Sequence, residues 1–425
     1  MVLNYIWIAF FLIAFLVALV RTLLYYFRDS LGLETVMDVA DKEVFSSVVN
    51  STFDMAETSV EISIYLIGVM SLWLGIMKIG EMGGAVKGMS KIFGPLFTRI
   101  FPEIPNNHPA HGAMVMNFSA NMLGLDNAAT PLGLKAMKEL QKENHSETVA
   151  SNSQIMFLVL NTSGLTLIPV SVMALRASAH AINPAEIFLP ILLATYFSTI
   201  VGLITVAIWQ KINLFDKVIM TYLGSITAAI GLIIWGFTSL EPEQIGTYSS
   251  VLGNAMLLTI ICGFILLGVR SKIDIYDSFV EGAKEGFQTS IKIIPYLVAM
   301  LVAIGVFRAS GAMEYLILGL KWFFGLFFTQ LEFVDTLQVA FMKPLSGSGA
   351  RGAMLEVFDQ FGVEDFRSKM AATLQGSTET TFYVLAVYFG SVGIKNSRYA
   401  VAAGLLADLA GIIAAIVLSY IFFYV

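Results

Sequence analysis

Hydrophobic positions along this chain run in long blocks rather than alternating. Residues 2–20, 155–175, 187–210, 218–240 and 244–269 contain no Asp, Glu, Lys or Arg. Each block is near or above the roughly 20 apolar residues that carry a helix across a bilayer. Ten-residue segments of alternating polarity, the mark of a membrane barrel, are not visible. Open sheet edges are excluded from lipid, so the pattern predicts an all-α integral membrane protein.

Polar interruptions carry more information than the apolar blocks. The run from 112 to 125 is uncharged but too short to cross, holds Asn117, Ser119 and Asn121, and is followed by Asp126, Asn127, Thr130 and Pro131. Later in the chain MKPLSGSGARGAM (342–354) breaks another apolar approach with Pro344, Gly347 and Gly349. Both read as re-entrant hairpins. Each is followed by a second interrupted element, NTSGLTLIPVSV (161–172) and QGSTETTFYVLAVYFG (375–390). Backbone at membrane depth unwinds only where it is buried in protein or lines a wet cavity, and the freed amides and carbonyls then bind solutes. Thr130-Pro131, Ser348 and Ser377 read as helix starts, each with a capping hydroxyl.

The interruptions are paired because the chain repeats. Residues 59–78 (SVEISIYLIGVMSLWLGIMK) align with 290–308 (SIKIIPYLVAMLVAIGVFR), Leu160–Ser163 with Leu374–Ser377, and 192–195 (LLAT) with 405–408 (LLAD). Three blocks in the same order at an offset of somewhat over 200 residues indicate a duplicated unit. The expected organisation is an anchor helix with an amphipathic linker (1–44), a first half (45–210), connecting transmembrane segments (211–274) and a second half (275–425). The fold is thus two homologous helical halves with re-entrant or broken helices meeting at a central polar site. The pattern leaves open whether the halves run parallel or inverted. Arg21, Arg28 and Lys42 favour a cytoplasmic loop after the first span, as do Arg270 and Lys272 before the second half.

Composition agrees: 57% of the 425 residues are hydrophobic and 13% charged, and the mean hydropathy is +0.77. The net charge of −6 is spread through loops, which argues against a nucleic-acid partner. The single cysteine, Cys262, excludes an intrachain disulfide and reads as packing in its apolar run.

Candidate chemistry is therefore binding rather than catalysis, and no enzyme activity is expected. Asn117, Asn121, Asp126, Asn127, Thr130, Asn161 and Ser163 of the first half are candidate substrate-binding residues. Ser346, Ser348, Arg351, Gln375, Ser377, Thr378 and Glu379 are their counterparts in the second. Arg351 either pairs with a carboxylate or holds a substrate anion. Asp408 is the one charge between 399 and 425; an ionisable residue at that depth is functional by default, and with Glu379 it is the candidate for ion coupling. His108 and His111 form H-x-x-H without a nearby third ligand, so no metal site is expected. SGSGARG satisfies G-x-G-x-x-G through Gly347, Gly349 and Gly352 but lacks the strand and later acidic residue of a dinucleotide site. No G-x-x-x-x-G-K loop is present, so ATP does not drive this chain alone. The hydroxyls of Ser346, Ser348 and Ser377 have no histidine at matching depth, against an intramembrane hydrolase.

HPAHGAMVMN with NMLGLDNAATPLGLKAMKELQ resembles the spore maturation protein A family. PLSGSGARGAM, QGSTETTFYVLAVYFGSVG and AAGLLADLAGI resemble the spore maturation protein B family, so the chain is similar to a fusion of the two. Both families carry the Gate, or nucleoside-recognition, domain that also occurs in concentrative nucleoside transporters and in the membrane part of ferrous iron transporters. The resemblance implies helical hairpins meeting at a central site. It also places Gln375, Thr378 and Glu379 by the substrate, through similarity to a Gln-Thr-Glu element of nucleoside transporters. The Gate cysteine of iron transporters has no counterpart here, which disfavours ferrous iron. The combined expectation is a multi-pass protein of a bacterial inner or cytoplasmic membrane, a secondary transporter of a small polar solute such as a nucleoside, amino acid, peptide or organic anion. H⁺ or Na⁺ would couple it, with no other cofactor. A non-transporting assembly or sensor factor for envelope or spore maturation is the alternative. Its partners would be the lipid bilayer, the solute and further copies of itself as a homo-oligomer.

Overall fold

A computed structural model describes residues 2–31, 39–239 and 242–424. Helix α1 (Val2–Tyr26) is followed by the single-turn helices α2 (Arg28–Leu31) and α3 (Val39–Lys42). The first half comprises α4 (Val44–Met82), α5 (Ala85–Ile100), α6 (Pro109–Met122), α7 (Asp126–Lys142), α8 (Asn152–Ser163), α9 (Val170–Ser178) and α10 (Phe188–Gln210). Two helices, α11 (Lys217–Thr238) and α12 (Pro242–Arg270), link it to the second. That half comprises α13 (Ile275–Ala309), α14 (Ala312–Phe324), α15 (Leu337–Met342), α16 (Gly347–Phe361), α17 (Phe366–Gly376), α18 (Thr381–Ser391) and α19 (Ala400–Phe423). The seven helices α4–α10 correspond one for one to α13–α19, and the three sequence blocks fall on α4 with α13, α8 with α17, and α10 with α19.

Among the described residues, seven helices are long and apolar enough to cross a membrane: α1, α4, the segment ending in α10, α11, α12, α13 and α19. The protein is a multi-pass membrane protein. Helices α8, α9, α17 and α18 have 9–12 residues each. At 1.5 Å per residue each reaches only part-way across about 30 Å of hydrocarbon.

The halves are inverted. Asn152 at the start of α8, Tyr399 at the start of α19 and Gln210 at the end of α10 are hydrogen-bonded together: Gln210 Nε2 donates to Asn152 O (2.7 Å) and Tyr399 Oη (3.0 Å). Helix α17, the counterpart of α8, begins at the other end of the α10–α19 pair. There Lys369 Nζ lies 3.1 Å from Glu186, just before α10, and the Phe366 ring packs on Tyr420 and Tyr424 at the end of α19. Matching helices α4 and α13 are likewise antiparallel, because Cβ atoms at Gly75, Gly286 and Gly305 would strike Phe279, Met70 and Met55 respectively. Apolar side chains gain nothing over lipid by touching each other, so long helices associate where small residues let backbones approach. Gly282 and Gly286, four apart on α13, provide that surface against Leu74 and Met70.

Inversion overturns one expectation. Arg21 bonds Asp41 (2.7 Å) and Ser310 O (3.0 Å) near the end of α13, whereas Ser271 Oγ bonds Gly83 O (2.9 Å) near the end of α4. The basic groups after α1 and those before α13 therefore lie at opposite ends of the α4–α13 pair, so both loops cannot be cytoplasmic. Cys262 is exposed on α12 rather than packed, since a helix in lipid can turn an apolar thiol outward at no cost.

Candidate functional site

Two hairpins and two interrupted helices converge at the middle of the bundle. Helix α6 ends at Leu123–Leu125, where Gly124 has φ +70° and a Cβ would sit 2.7 Å from Ile168 O, so only glycine fits. Helix α8 ends at Gly164 (φ +59°), where a Cβ would lie 2.9 Å from Glu379 Cγ. The last carbonyls of a helix have no partner within it. Here other breaks supply one: Leu167 N donates to Met122 O (2.7 Å), Phe382 N to Pro344 O (3.0 Å) and Glu379 N to Thr162 O (2.9 Å). The first two bonds are equivalent in the two halves, joining each hairpin to its own interrupted helix. The third joins the halves.

Side chains extend the junction. Asn121 Nδ2 donates to Asn161 Oδ1 (2.8 Å), and Tyr388 Oη donates to the same oxygen (3.2 Å). Asn117 Nδ2 donates to Tyr388 Oη (3.2 Å) and Ala129 O (2.8 Å). Around the junction lies a polar cleft with two lobes. The larger, about 530 Å³, is lined by Thr130, Asn161, Ser346, Ser348, Tyr296, Tyr383 and Tyr388 among others. The smaller, about 100 Å³, is lined by Thr166, Lys343, Gln375 and Thr378 among others. Asn121, Gly347, Arg351, Glu379 and Thr380 border both. Volumes of a few hundred Å³ with convergent polar groups are those of small-molecule sites.

Two lining groups carry a buried polar atom with no partner among the described residues, Gln375 at Oε1 and Arg351 at Nε. Thr378, by contrast, lies against the Asp408 carboxylate. Unpaired polar atoms at depth cost about 1–3 kcal/mol each, a cost that a bound water or solute would relieve. Helix starts add field: Ser346 caps α16 by accepting from Gly349 N (3.0 Å), and the first residues of α16, with Thr380 before α18, border the larger lobe. Helix N-termini carry partial positive charge suited to an anionic group.

Of the residues singled out in the sequence, Asn121, Thr130, Asn161, Ser346, Ser348, Arg351, Gln375, Thr378 and Glu379 line the cleft. Asn117 acts one layer behind it through Tyr388. Ser163 and Ser377 do not face it; each is buried and donates to the carbonyl three residues earlier, Leu160 (3.1 Å) and Leu374 (2.8 Å), tying down a helix end. Asp408, 1% exposed on α19, lies behind the cleft, where its Oδ2 accepts from Thr381 Oγ1 (2.6 Å) and Thr378 lies against the same carboxylate. Its repeat equivalent, Thr195, accepts from Thr166 N (3.3 Å). The side chains of Asp126 and Asn127 lie outside the described residues.

Three helix starts differ from expectation. Pro131 is the sixth residue of α7, not its first, and the hairpin turn is Leu123–Leu125. A proline there has no amide to give to the carbonyl four residues back; in the same turn the Ala129 carbonyl accepts from Asn117 Nδ2 (2.8 Å). Ser346 rather than Ser348 caps α16, because Ser346 alone takes the extended backbone that aims its hydroxyl at the third amide. Ser377 closes α17 rather than opening α18, which starts after Thr380. Tyr296, Lys343, Tyr383 and Tyr388 went unforeseen; the tyrosines sit in apolar runs where the residue ordinarily marks an interface. His108 caps α6 through Nδ1 and lies 3.1 Å from Glu143, and His111 bonds Ile104 O (3.3 Å). Among the described residues no cluster of His, Cys, Asp or Glu is placed to hold a metal ion.

A multi-pass helical membrane protein with inverted halves and paired re-entrant hairpins around a polar cleft is the class these features define. The model of the Gate family, described as nucleoside recognition, matches residues 63–179 and 290–395, just over half of the chain and one segment in each half. The chain belongs to the Gate family. It is 45% identical over 172 residues to spore maturation protein B of Bacillus subtilis (strain 168), covering 40% of this chain and 95% of that protein. Over 154 residues it is 43% identical to spore maturation protein A of the same organism, covering 36% of this chain and 79% of that protein. The two relatives match different parts of the chain, as in a fusion.

Proposed function

We propose that the protein is a secondary transporter of a small polar solute, bound where the two hairpins and two interrupted helices meet and coupled to H⁺ or Na⁺. The observation that carries this reading is the cleft bordered by four helix breaks, with Gln375 Oε1 and Arg351 Nε finding no partner among the described residues. A scaffold would gain nothing from such groups, each of which destabilises the fold until solvated. Inverted halves supply two related conformations in which the site opens to one side and then the other. Asp408, next to the Thr381 start of α18, is placed to link protonation or cation binding to the position of that half-helix. Substrate binding falls to Asn121, Thr130, Asn161, Ser346, Ser348, Arg351, Gln375, Thr378 and Glu379, with Asp126 and Asn127 retained from the sequence pattern.

The names of the two relatives, both spore maturation proteins, favour a second reading, a non-transporting factor in maturation of the spore. Uptake of labelled nucleosides, amino acids, dipeptides and organic anions into proteoliposomes separates the two. Ion-gradient-dependent accumulation of any class supports transport. No accumulation of any class, from protein shown to be folded and inserted, contradicts it.

A further inference from the structure

Arg351 and Glu379 carry opposite charges, and both border both lobes of the cleft. They do not pair with each other, and neither forms an ion pair with any described residue. Several buried or partly buried charges elsewhere in the fold are paired. Arg176 pairs with Glu186 at 2.6 Å, Arg308 with Glu356 at 2.7 Å, Lys321 with Asp335 at 2.9 Å and Lys369 with Glu186 at 3.1 Å. Two unpaired, opposite charges flanking one cavity at membrane depth is an arrangement that favours a ligand carrying both complements.

We infer that the solute is a small zwitterion bearing a carboxylate and an ammonium group, an α-amino acid or short peptide, held with its carboxylate toward Arg351 and its ammonium toward Glu379. The inference rests on the transport reading above. Arg351 lies in the second turn of α16, so its guanidinium and the helix start act on an anion from the same direction. Glu379 leaves its carboxylate exposed to the cleft while its amide holds Thr162 O, fixing the backbone that carries it. Lys343, which lines the smaller lobe, acts on Asp408 and has contacts of its own, so a simple organic anion would satisfy Arg351 and be repelled by Glu379. A neutral nucleoside would leave both charges to water. The tyrosines and the Val384 and Val387 side chains of the larger lobe leave room for an apolar or aromatic substituent.

The test uses the full chain in proteoliposomes, tritiated L-α-amino acids and alanyl dipeptides as probes, and three competitors of the best-transported probe: its amide, its hydroxy-acid analogue and uridine. Loss of one charge-assisted contact should weaken competition by the amide or the hydroxy acid about tenfold or more relative to the zwitterion. Glu379→Gln should erase the discrimination against the hydroxy acid and keep that against the amide; Arg351→Gln should do the reverse. A merely structural role for either residue would depress all competitors equally, and that outcome overturns the inference. Preferential uptake of uridine or of an organic anion overturns it too, leaving transport intact. Absence of any uptake overturns both.

Discussion

The amide of Glu379 donates to the carbonyl of Thr162 at 2.9 Å, so the break in the second half is completed by the break in the first. Neither interrupted helix is self-sufficient: α8 ends with a carbonyl that only the other half satisfies. The site is therefore a property of the joined repeats.

Gly164 tests that joint. A side chain at φ +59° costs about 1 kcal/mol in backbone strain, and its Cβ would press on Glu379 Cγ. Gly164→Ala should lower the unfolding temperature in detergent by a few degrees and reduce uptake about tenfold or more. Gly319→Ala, inside α14 with nothing near its Cβ, should leave uptake unchanged and should not lower the unfolding temperature.

The Asn117–Tyr388–Asn161 chain should behave as one unit. Tyr388→Phe removes a group that accepts from Asn117 and donates to Asn161; Asn117 keeps Ala129 O and Asn161 keeps Asn121, so the loss should be about 0.5–1.5 kcal/mol per bond. Calorimetry of Tyr388→Phe, Asn117→Ala and the double variant should show the double costing less than the sum of the singles. Strict additivity would mean that the three groups are not coupled.

At the surface end of α17, Arg176 is fully buried between Glu186 and Glu364, which also meet Lys369. Removing one member of a buried pair strands the others, so Arg176→Met should destabilise by about 3–5 kcal/mol. Arg367→Ala, in a partly exposed pair with Asp365, should cost at most about 1 kcal/mol. The test is the shift in denaturation midpoint for each.

Asp365 gives a pH signature. Hydrogen bonding from the Arg367 side chain, and then from its backbone amide, holds the Asp365 carboxyl below the usual carboxylate range. A depressed folded-state value contributes stability that is present above the unfolded value and is lost as pH falls through the folded one. Asp365→Asn should therefore be less stable than wild type at neutral pH, and the difference should shrink as pH drops below 4. A gap independent of pH would assign the loss to capping alone.

Much of this architecture is legible in the sequence because repeats at membrane depth preserve what the backbone needs: a glycine, a small residue or an amide at each break. Leu160–Ser163 and Leu374–Ser377 match because both finish half-helices whose serines bond back to the chain. Direction is invisible to such matching, so the inversion, and with it the opposite placement of Arg21 and Arg270, appears only when contacts are seen. Cap position fails by one or two residues wherever several hydroxyls compete, as at Ser346 and Ser348. Tyr388 reads as an ordinary tyrosine on an apolar helix until Asn117 and Asn161, more than 200 residues away, are placed against its hydroxyl.

Asp408 should be dispensable for folding and essential for coupling. Asp408→Asn keeps a group able to bond Thr381 but cannot take up a proton or balance a cation, so uptake should lose its dependence on the ion gradient while thermal stability is retained. Unchanged gradient dependence would remove Asp408 from the mechanism.

The central claim is that the broken segments enclose a water-filled polar cleft within the membrane. A cysteine at Ser348, in a Cys262→Ala background, measures this most directly through its reaction rate with a small aqueous thiol reagent in intact membranes. The account predicts rapid labelling at Ser348→Cys and none at Ser163→Cys, which is buried against Leu160. Equal resistance at both positions would contradict it.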